Sequence, residues 1–267
     1  MNSLWLSNNK LINNNFIKEI DTSNTSNKTL LETDVCIIGA GIFGLTCAYY
    51  LSNLGYRVTV LEKDKIGEKT TGNTTAKITS QHGLFYSYLA NSYSQKFAQD
   101  YLEANEQAIK NIKNIIDKEK IKCDFEYKNS YVYTTKKEDL KFIKKEQKTI
   151  ENLGFNCEYV TKTGLPFEIE GAICFKNQAQ FHPLKYLNGL CHCITKNNNE
   201  IYTNSTVFDV QKENDFYITF SNNFNVKSKY VIVATHYPFI NFPGFYFAKM
   251  YQSTSYLIAV DTKKNII

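Results

Sequence analysis

The chain has 267 residues, 43% of them hydrophobic, and a formal net charge of +5. That length suits one large or two interleaved domains with a real core. The basic excess does not point to nucleic acid: Arg57 is the only arginine, the lysines are scattered among asparagines, and phosphate or base recognition recruits arginine forks.

Residues 1–33 read as an N-terminal arm. Within it 6–33 is rich in Asn, Ser, Thr and Lys without periodicity, so an extended or disordered lead-in is expected. From Asp34 the pattern changes. An apolar, β-prone run Val35–Ile38 leads into Gly39-Ala40-Gly41-Ile42-Phe43-Gly44, then a helical stretch with Leu45, Ala48 and Leu51 on one side. A second strand follows through Val58, Val60 and Leu61 and closes on Glu62-Lys63. This is the spacing of a dinucleotide-binding βαβ unit. Gly39 permits the tight turn, Gly41 lets backbone approach a pyrophosphate at the positive end of the helix, and Gly44 lets helix and strand pack closely. Glu62, 18 residues past Gly44, can accept hydrogen bonds from ribose hydroxyls. A carboxylate there disfavours a 2′-phosphate and hence NADP; FAD and NAD both remain open on these residues. The structural alternative is a βαβ unit that binds nothing.

The polar loop Gly67–Lys77, with Thr70, Thr71, Thr74 and Thr75, is too rich in hydroxyls for a mere connection. Residues 87–120 carry a long helical pattern with Leu89, Tyr93, Phe97, Ala104, Ala108, Ile112 and Ile116 near one stripe. A hairpin is expected over 123–134 around Lys128-Asn129-Ser130, a helix over 136–152, and strands near 156–160 and 168–175. His182-Pro183 opens a helix carrying Leu184, Leu187, Leu190, Cys191 and Ile194. Three strands are expected at Ile201–Val210, Phe216–Phe220 and Tyr230–Ala234, and a later one at Tyr256–Val260. Thr235 and His236, at the carboxyl end of a strand, are plausible ligand neighbours; the competing reading of His236 is an ordinary loop residue.

Seven cysteines without a Cys-x-x-Cys pair fit a reducing, cytoplasmic setting. The apolar stretch 35–51 is broken by glycines, so no membrane span is expected. Cys191-His192-Cys193 invites a metal reading, but three consecutive helical residues converge poorly on one ion, and no metal site is expected.

Taken together these features resemble a family. The fingerprint ending on Glu62-Lys63, the Thr71-Gly72-Asn73-Thr74-Thr75-Ala76 loop, His182-Pro183 and Val231–His236 recur in that order in FAD-dependent oxidoreductases of the D-amino-acid oxidase/glycine oxidase type. Ser3-Leu4-Trp5 and the Thr-Thr-Ala-Lys loop are similar to the branch whose full-length members end in a Rieske [2Fe–2S] domain. The resemblance implies an α/β fold in which a Rossmann-like FAD-binding domain (34–85 and 182–240) is interleaved with an α+β substrate domain (86–181 and 241–267). It implies FAD as cofactor and a cofactor-binding set of Gly39, Ala40, Gly41, Phe43, Gly44, Glu62, Lys63, Thr71, Thr74, Thr75, Ala76, Val207, Ala234 and Thr235. In that set Glu62 takes the ribose, the glycines the pyrophosphate, the Thr71–Ala76 loop the flavin and phosphates, Val207 the adenine, and Ala234 and Thr235 close over the cofactor.

The implied activity is oxidation of an amine or amino-acid-like small molecule by hydride transfer to flavin. No catalytic residue is assigned, since the flavin carries the hard step. Arg57 is misplaced for a carboxylate clamp. Family members continue beyond the position of Ile267 with further strands and a Gly-rich flavin segment, so the C-terminal part of the family fold is expected to be missing. No Rieske ligand spacing occurs in the 267 residues, so a Rieske or other electron acceptor would come from outside them. The alternatives are a non-catalytic dinucleotide-binding remnant and an NAD-linked dehydrogenase.

Overall fold

Residues 35–38 pair with strands on both sides, and residues 30–33 extend the strand along one of them. The computed structural model describes residues 3–7, 18 and 29–258. In it β1 (Leu30–Ile38) runs parallel to β2 (Val58–Leu61) on one side and to β10 (Asn225–Val233) on the other. The strand starts five residues earlier than the apolar run suggests. Leu30–Thr33 alternates in burial and is held by Asn225–Ser228, a partner nearly two hundred residues away, so nothing local marks its start.

Two compact units are present. The first comprises residues 1–75, 121–123 and 182–257, within the described range. Its six-stranded sheet has the order β7-β2-β1-β10-β9-β8, with β7 (Glu200–Tyr202), β8 (Val207–Glu213) and β9 (Phe216–Ser221) completing it. Four strands are parallel; β9 and β8 add antiparallel pairings. The single strand expected over 201–210 is therefore two. Asn204, in the left-handed region at φ 53°, and the bond from Ser205 N to Glu62 O turn the chain between them. Helices α1 (Ile42–Asn53) and α5 (Pro183–Lys196) pack together on this unit. Cys36, Ile38, Leu61, Tyr202, Phe224 and Val226 form a buried cluster against which Val207, Val231 and Phe239 pack.

The second unit comprises 76–120, 124–181 and residue 258 of the described range. Its antiparallel sheet has the order β3-β6-β4, with β5 also on β6; the strands are Lys77–Ile78, Gly171–Gln180, Glu126–Thr134 and Glu158–Val160. Residues 126–134 are thus one bulged strand on β6, and the turn at Lys128-Asn129-Ser130 is a register shift, not a hairpin. The long helical pattern also breaks. α2 (Tyr86–Ser92) ends before Ser94, whose hydroxyl accepts from Phe97 N at 3.0 Å and opens α3 (Gln95–Glu119). That break resets the helical phase: Tyr93 and Phe97 of the expected stripe are exposed, and Ala98, Leu102, Ile109 and Ile116 are buried. α4 (Leu140–Asn152) contributes Ile143 and Ile150 to a core with Tyr86, Leu89, Ile173 and Phe175.

The units divide at 75/76 rather than at 85/86, because Lys77 and Ile78 pair with Gln180 and Ala179. Residues 241–257 group with the first unit, not with the second as the sequence suggests. Residues 256–258 form no strand and are exposed; 259 and 260, the end of that expected strand, lie outside the described residues, as do most of the arm's residues between 8 and 28. No helix among the described residues is long and apolar enough to cross a membrane.

Candidate functional site

The carboxyl ends of β1, β2 and β10 converge on the glycine turn. Gly39 adopts φ 110°, a conformation closed to other residues without strain, and a β-carbon there would lie 2.7 Å from Ala234 O. Its N–H donates to Leu61 O at 2.8 Å, and Ala234 N donates to Ile38 O at 2.8 Å, so all three strand ends are locked together. Gly44 is required for a different reason. A β-carbon on it would sit 2.0 Å from Gly39 O, inside the turn itself. Around Gly41 there is room: its nearest neighbour in the β-carbon direction is Thr71 Oγ1 at 3.4 Å.

Gly41 is the N-cap of α1, in extended conformation, with no side-chain cap and no acidic residue in the first turn. The amide groups of a helix start and the positive end of its dipole are therefore left to an outside anion. Glu62 is half-buried beside this turn. Its Oε2 accepts from Ala40 N at 2.7 Å and its Oε1 from Asp64 N at 3.1 Å, which fixes the carboxylate where β2 ends. Each oxygen keeps a second lone pair for a hydroxyl donor. Ala40 thus serves the site by orienting Glu62. Phe43 and Lys63 are exposed, as is His236.

The Thr71 loop stands over the same end of the first unit. Thr71–Asn73 forms a single 3-10 turn, with Gly72 buried and Thr75 exposed. Thr74 is half-buried, and its carbonyl accepts the indole N–H of Trp5 at 2.8 Å. Ala76, buried and left-handed at φ 58°, falls in the second unit. Val207 opens β8 beside the Cys36–Val226 cluster. Ala234 follows β10 directly, and Thr235 Oγ1 is buried with no hydrogen-bond partner among the described residues. Arg57 lies at the other end of β2. Its side chain is largely exposed, with Nε 3.8 Å from Asp34 Oδ2.

The buried thiols carry no signature of reactivity. Burial pushes Cys36 up to about 12, and burial likewise pushes Cys191 up to about 12. Cys191 belongs to the packed face of α5, and no group of potential ligands that could hold a metal ion occurs among the described residues. Sequence reasoning passed over Ser3 and Trp5 as parts of this site. Their signals were that Trp5 is the only tryptophan of the chain and that Ser3-Leu4-Trp5 carries part of the family resemblance.

An uncapped helix start after a glycine turn, a carboxylate at the tip of the next strand and an orphaned buried hydroxyl beside them suit a dinucleotide with a free ribose diol. Comparison with known proteins defines the class further. Residues 34–266 match the family model for DAO, FAD dependent oxidoreductase, and the chain belongs to that family of FAD-binding flavoproteins. It is 35% identical over 232 residues to YhfW of Bacillus subtilis (strain 168), whose name places it among Rieske 2Fe-2S iron–sulfur proteins; the match covers 87% of this chain and 46% of YhfW. It is 25% identical to gamma-glutamylputrescine oxidoreductase of Escherichia coli (strain K12) over 80% of this chain and 50% of that protein. The chain therefore spans about half the length of the curated relatives it matches.

Among solved structures, glycine oxidase from Geobacillus kaustophilus superposes with a TM-score of 0.65 at 15% identity, covering 77% of this chain and 55% of that one. L-proline dehydrogenase from P. horikoshii gives 0.65 at 18% identity, covering 78% and 54%. These likenesses establish the mixed α/β fold expected from the sequence.

Proposed function

We propose that residues 34–75 and 182–235 hold FAD for an oxidoreductase that oxidises an amine or amino-acid-like substrate. The observation that carries this reading is the uncapped start of α1 beside the Glu62 carboxylate, which Ala40 N fixes at 2.7 Å. Free amides of α1 receive the pyrophosphate across the open side of Gly41, and Glu62 accepts the hydroxyls of the adenosine ribose. Thr71, Thr74 and Thr75 face the phosphates and flavin with hydroxyls and amides; Val207 lies toward the adenine. Ala234 and Thr235 close the site, the Thr235 hydroxyl gaining the partner it lacks among the described residues. Gly39 and Gly44 act by letting these parts approach, while Phe43 and Lys63 flank them.

FAD, when bound, accepts a hydride from the carbon that bears the substrate nitrogen. The chain's own contribution is to bind, orient and shield. The names of relatives and neighbours support the substrate class: gamma-glutamylputrescine oxidoreductase, glycine oxidase and L-proline dehydrogenase all refer to amines or amino acids. The name of YhfW supports a Rieske centre outside these 267 residues as electron acceptor. Purified protein should retain FAD, released on denaturation and identified by mass, and a panel of amines under anaerobic conditions should bleach the flavin absorbance. A protein that binds FAD but is bleached by no amine would leave a flavin-binding module without this activity; one that takes NAD in place of FAD would end the reading.

A further inference from the structure

We propose that the Ser3–Ser7 turn is a positioning element for the flavin-side loop, with Trp5 holding Thr71–Thr75 in register with the start of α1. The inference rests on the FAD reading above and deepens it.

The loop's first half holds itself, with Asn73 N donating to Thr70 O at 3.2 Å and Asn73 Nδ2 to Lys69 O at 2.7 Å, but its second half is closed less tightly. The loop has one 3-10 turn, and its closing bond from Thr74 N to Thr71 O is long, at 3.5 Å. Residues 3–7 supply what it lacks. Trp5 Nε1 donates to Thr74 O at 2.8 Å, and Ser3 Oγ donates to Gly72 O. The same Ser3 hydroxyl accepts from Trp5 N at 3.2 Å, while Leu6 N and Ser7 N donate to Ser3 O at 3.1 and 3.0 Å. The turn is thus a small rigid body built around Ser3.

Its other side is anchored as well. The Trp5 ring meets His182 edge-on at 4.9 Å, and His182 caps α5. Leu6 covers Gly72 so closely that a β-carbon there would lie 3.3 Å from Leu6 Cδ1. Thr71 Oγ1 faces the open side of Gly41 at 3.4 Å from the β-carbon position. A loop that slides therefore moves its hydroxyls relative to the amides of α1. Adenosine contacts at Glu62 do not depend on that register; contacts toward the flavin do.

The test uses the full 267-residue chain and two probes, FAD and ADP, the second lacking the flavin end. Trp5→Phe keeps the ring against His182 and removes the donor. We expect its FAD dissociation constant to rise about three- to tenfold, the worth of one lost hydrogen bond. The ADP constant should rise by clearly less than the FAD constant, since ADP keeps the phosphates but lacks the flavin end, and amide exchange at residues 71–76 should quicken without ligand. Ser3→Ala should act in the same direction, and it carries the comparison if Trp5→Phe does not fold. An unchanged FAD constant in both variants, with the parent protein binding FAD, overturns the positioning role and leaves the FAD reading standing. Equal weakening of FAD and ADP also overturns it, since that is general loosening. A parent that binds no FAD overturns both.

Discussion

The two units treat the same physical problem, the unpaired amides at a helix start, in opposite ways. In the second unit the starts of α2 and α3 are satisfied by side chains, while α4 follows a 3-10 turn and has no side-chain cap. Glu146, 1% exposed, reaches from α4 to accept from Tyr86 N at 2.6 Å and Ser87 N at 2.8 Å, and Ser94 caps α3. A buried carboxylate is tolerated there because it satisfies two amides at once. In the first unit α5 has its His182 cap, but α1 has none, although it begins at the meeting point of three strands. α4 also lacks a side-chain cap, so what sets α1 apart is that its open start lies where three strands end beside the Glu62 carboxylate. Leaving α1 open makes sense if an anion from outside completes it.

Four measurements would break or sharpen that contrast. The largest effect should come from Gly44→Val, whose β-carbon would overlap Gly39 O at 2.0 Å. Backbone must move, so the first unit should lose about 3 kcal/mol or more in chemical denaturation and FAD binding with it. Glu146→Leu should cost about 2–3 kcal/mol by leaving the buried Tyr86 amide and the part-buried Ser87 amide unpaired. Its FAD affinity should stay at the parent value wherever the variant is folded. A large loss of affinity in folded Glu146→Leu would erase the distinction between structural and ligand-binding helix starts.

Gly41→Val tests the open helix itself. Only Thr71 Oγ1 comes near the β-carbon position, so circular dichroism should report a folded protein while flavin fluorescence reports loss of binding. Retention of FAD at parent affinity would mean that the pyrophosphate lies elsewhere. Glu62→Gln should be milder. It keeps an acceptor for Ala40 N but gives up charge-assisted bonds to the ribose, worth about 1.5–3 kcal/mol each to a full carboxylate, so a loss of about tenfold in FAD affinity is expected.

The smallest effect at neutral pH concerns the thiols. Cys36 and Cys191 are raised from 9.0 to about 12 and Cys157 to about 11, in each case first by burial. A raised folded-state value means that the native protein holds the proton more tightly than the unfolded chain. Stability from this source is fully present below about pH 9 and is lost as pH rises from there through 11 and 12. Denaturation midpoints should be flat from pH 7 to 8.5 and fall above 9. Alkylating reagents at pH 8 should leave these three thiols intact in folded protein, and rapid modification would show that their surroundings open readily.

The parts of this protein legible in its sequence are those whose physics is local. The turn at Gly39, the close approach of Gly44 to Gly39 O and Glu62 at the end of the next strand follow from contacts within some thirty residues, and the structure brings them to one place; only the strand end that closes on Gly39, at Ala234, is distant. The packed face of α5 was equally legible, because Leu184, Leu187, Leu190, Cys191 and Ile194 repeat with the helix period. What the sequence left open depends on partners far along the chain. β1 begins at Leu30 because Asn225–Ser228 pairs with it; residues 126–134 are one strand because β6 lies beside them; and α2 is capped by a glutamate about sixty residues later. The docking of Ser3 and Trp5 onto Gly72 and Thr74 is of the same kind, with 69 residues between donor and acceptor. Periodicity records which face of a segment is apolar, but not which distant segment will cover it. That choice, and with it the placing of the open start of α1 beside a carboxylate, belongs to the tertiary structure.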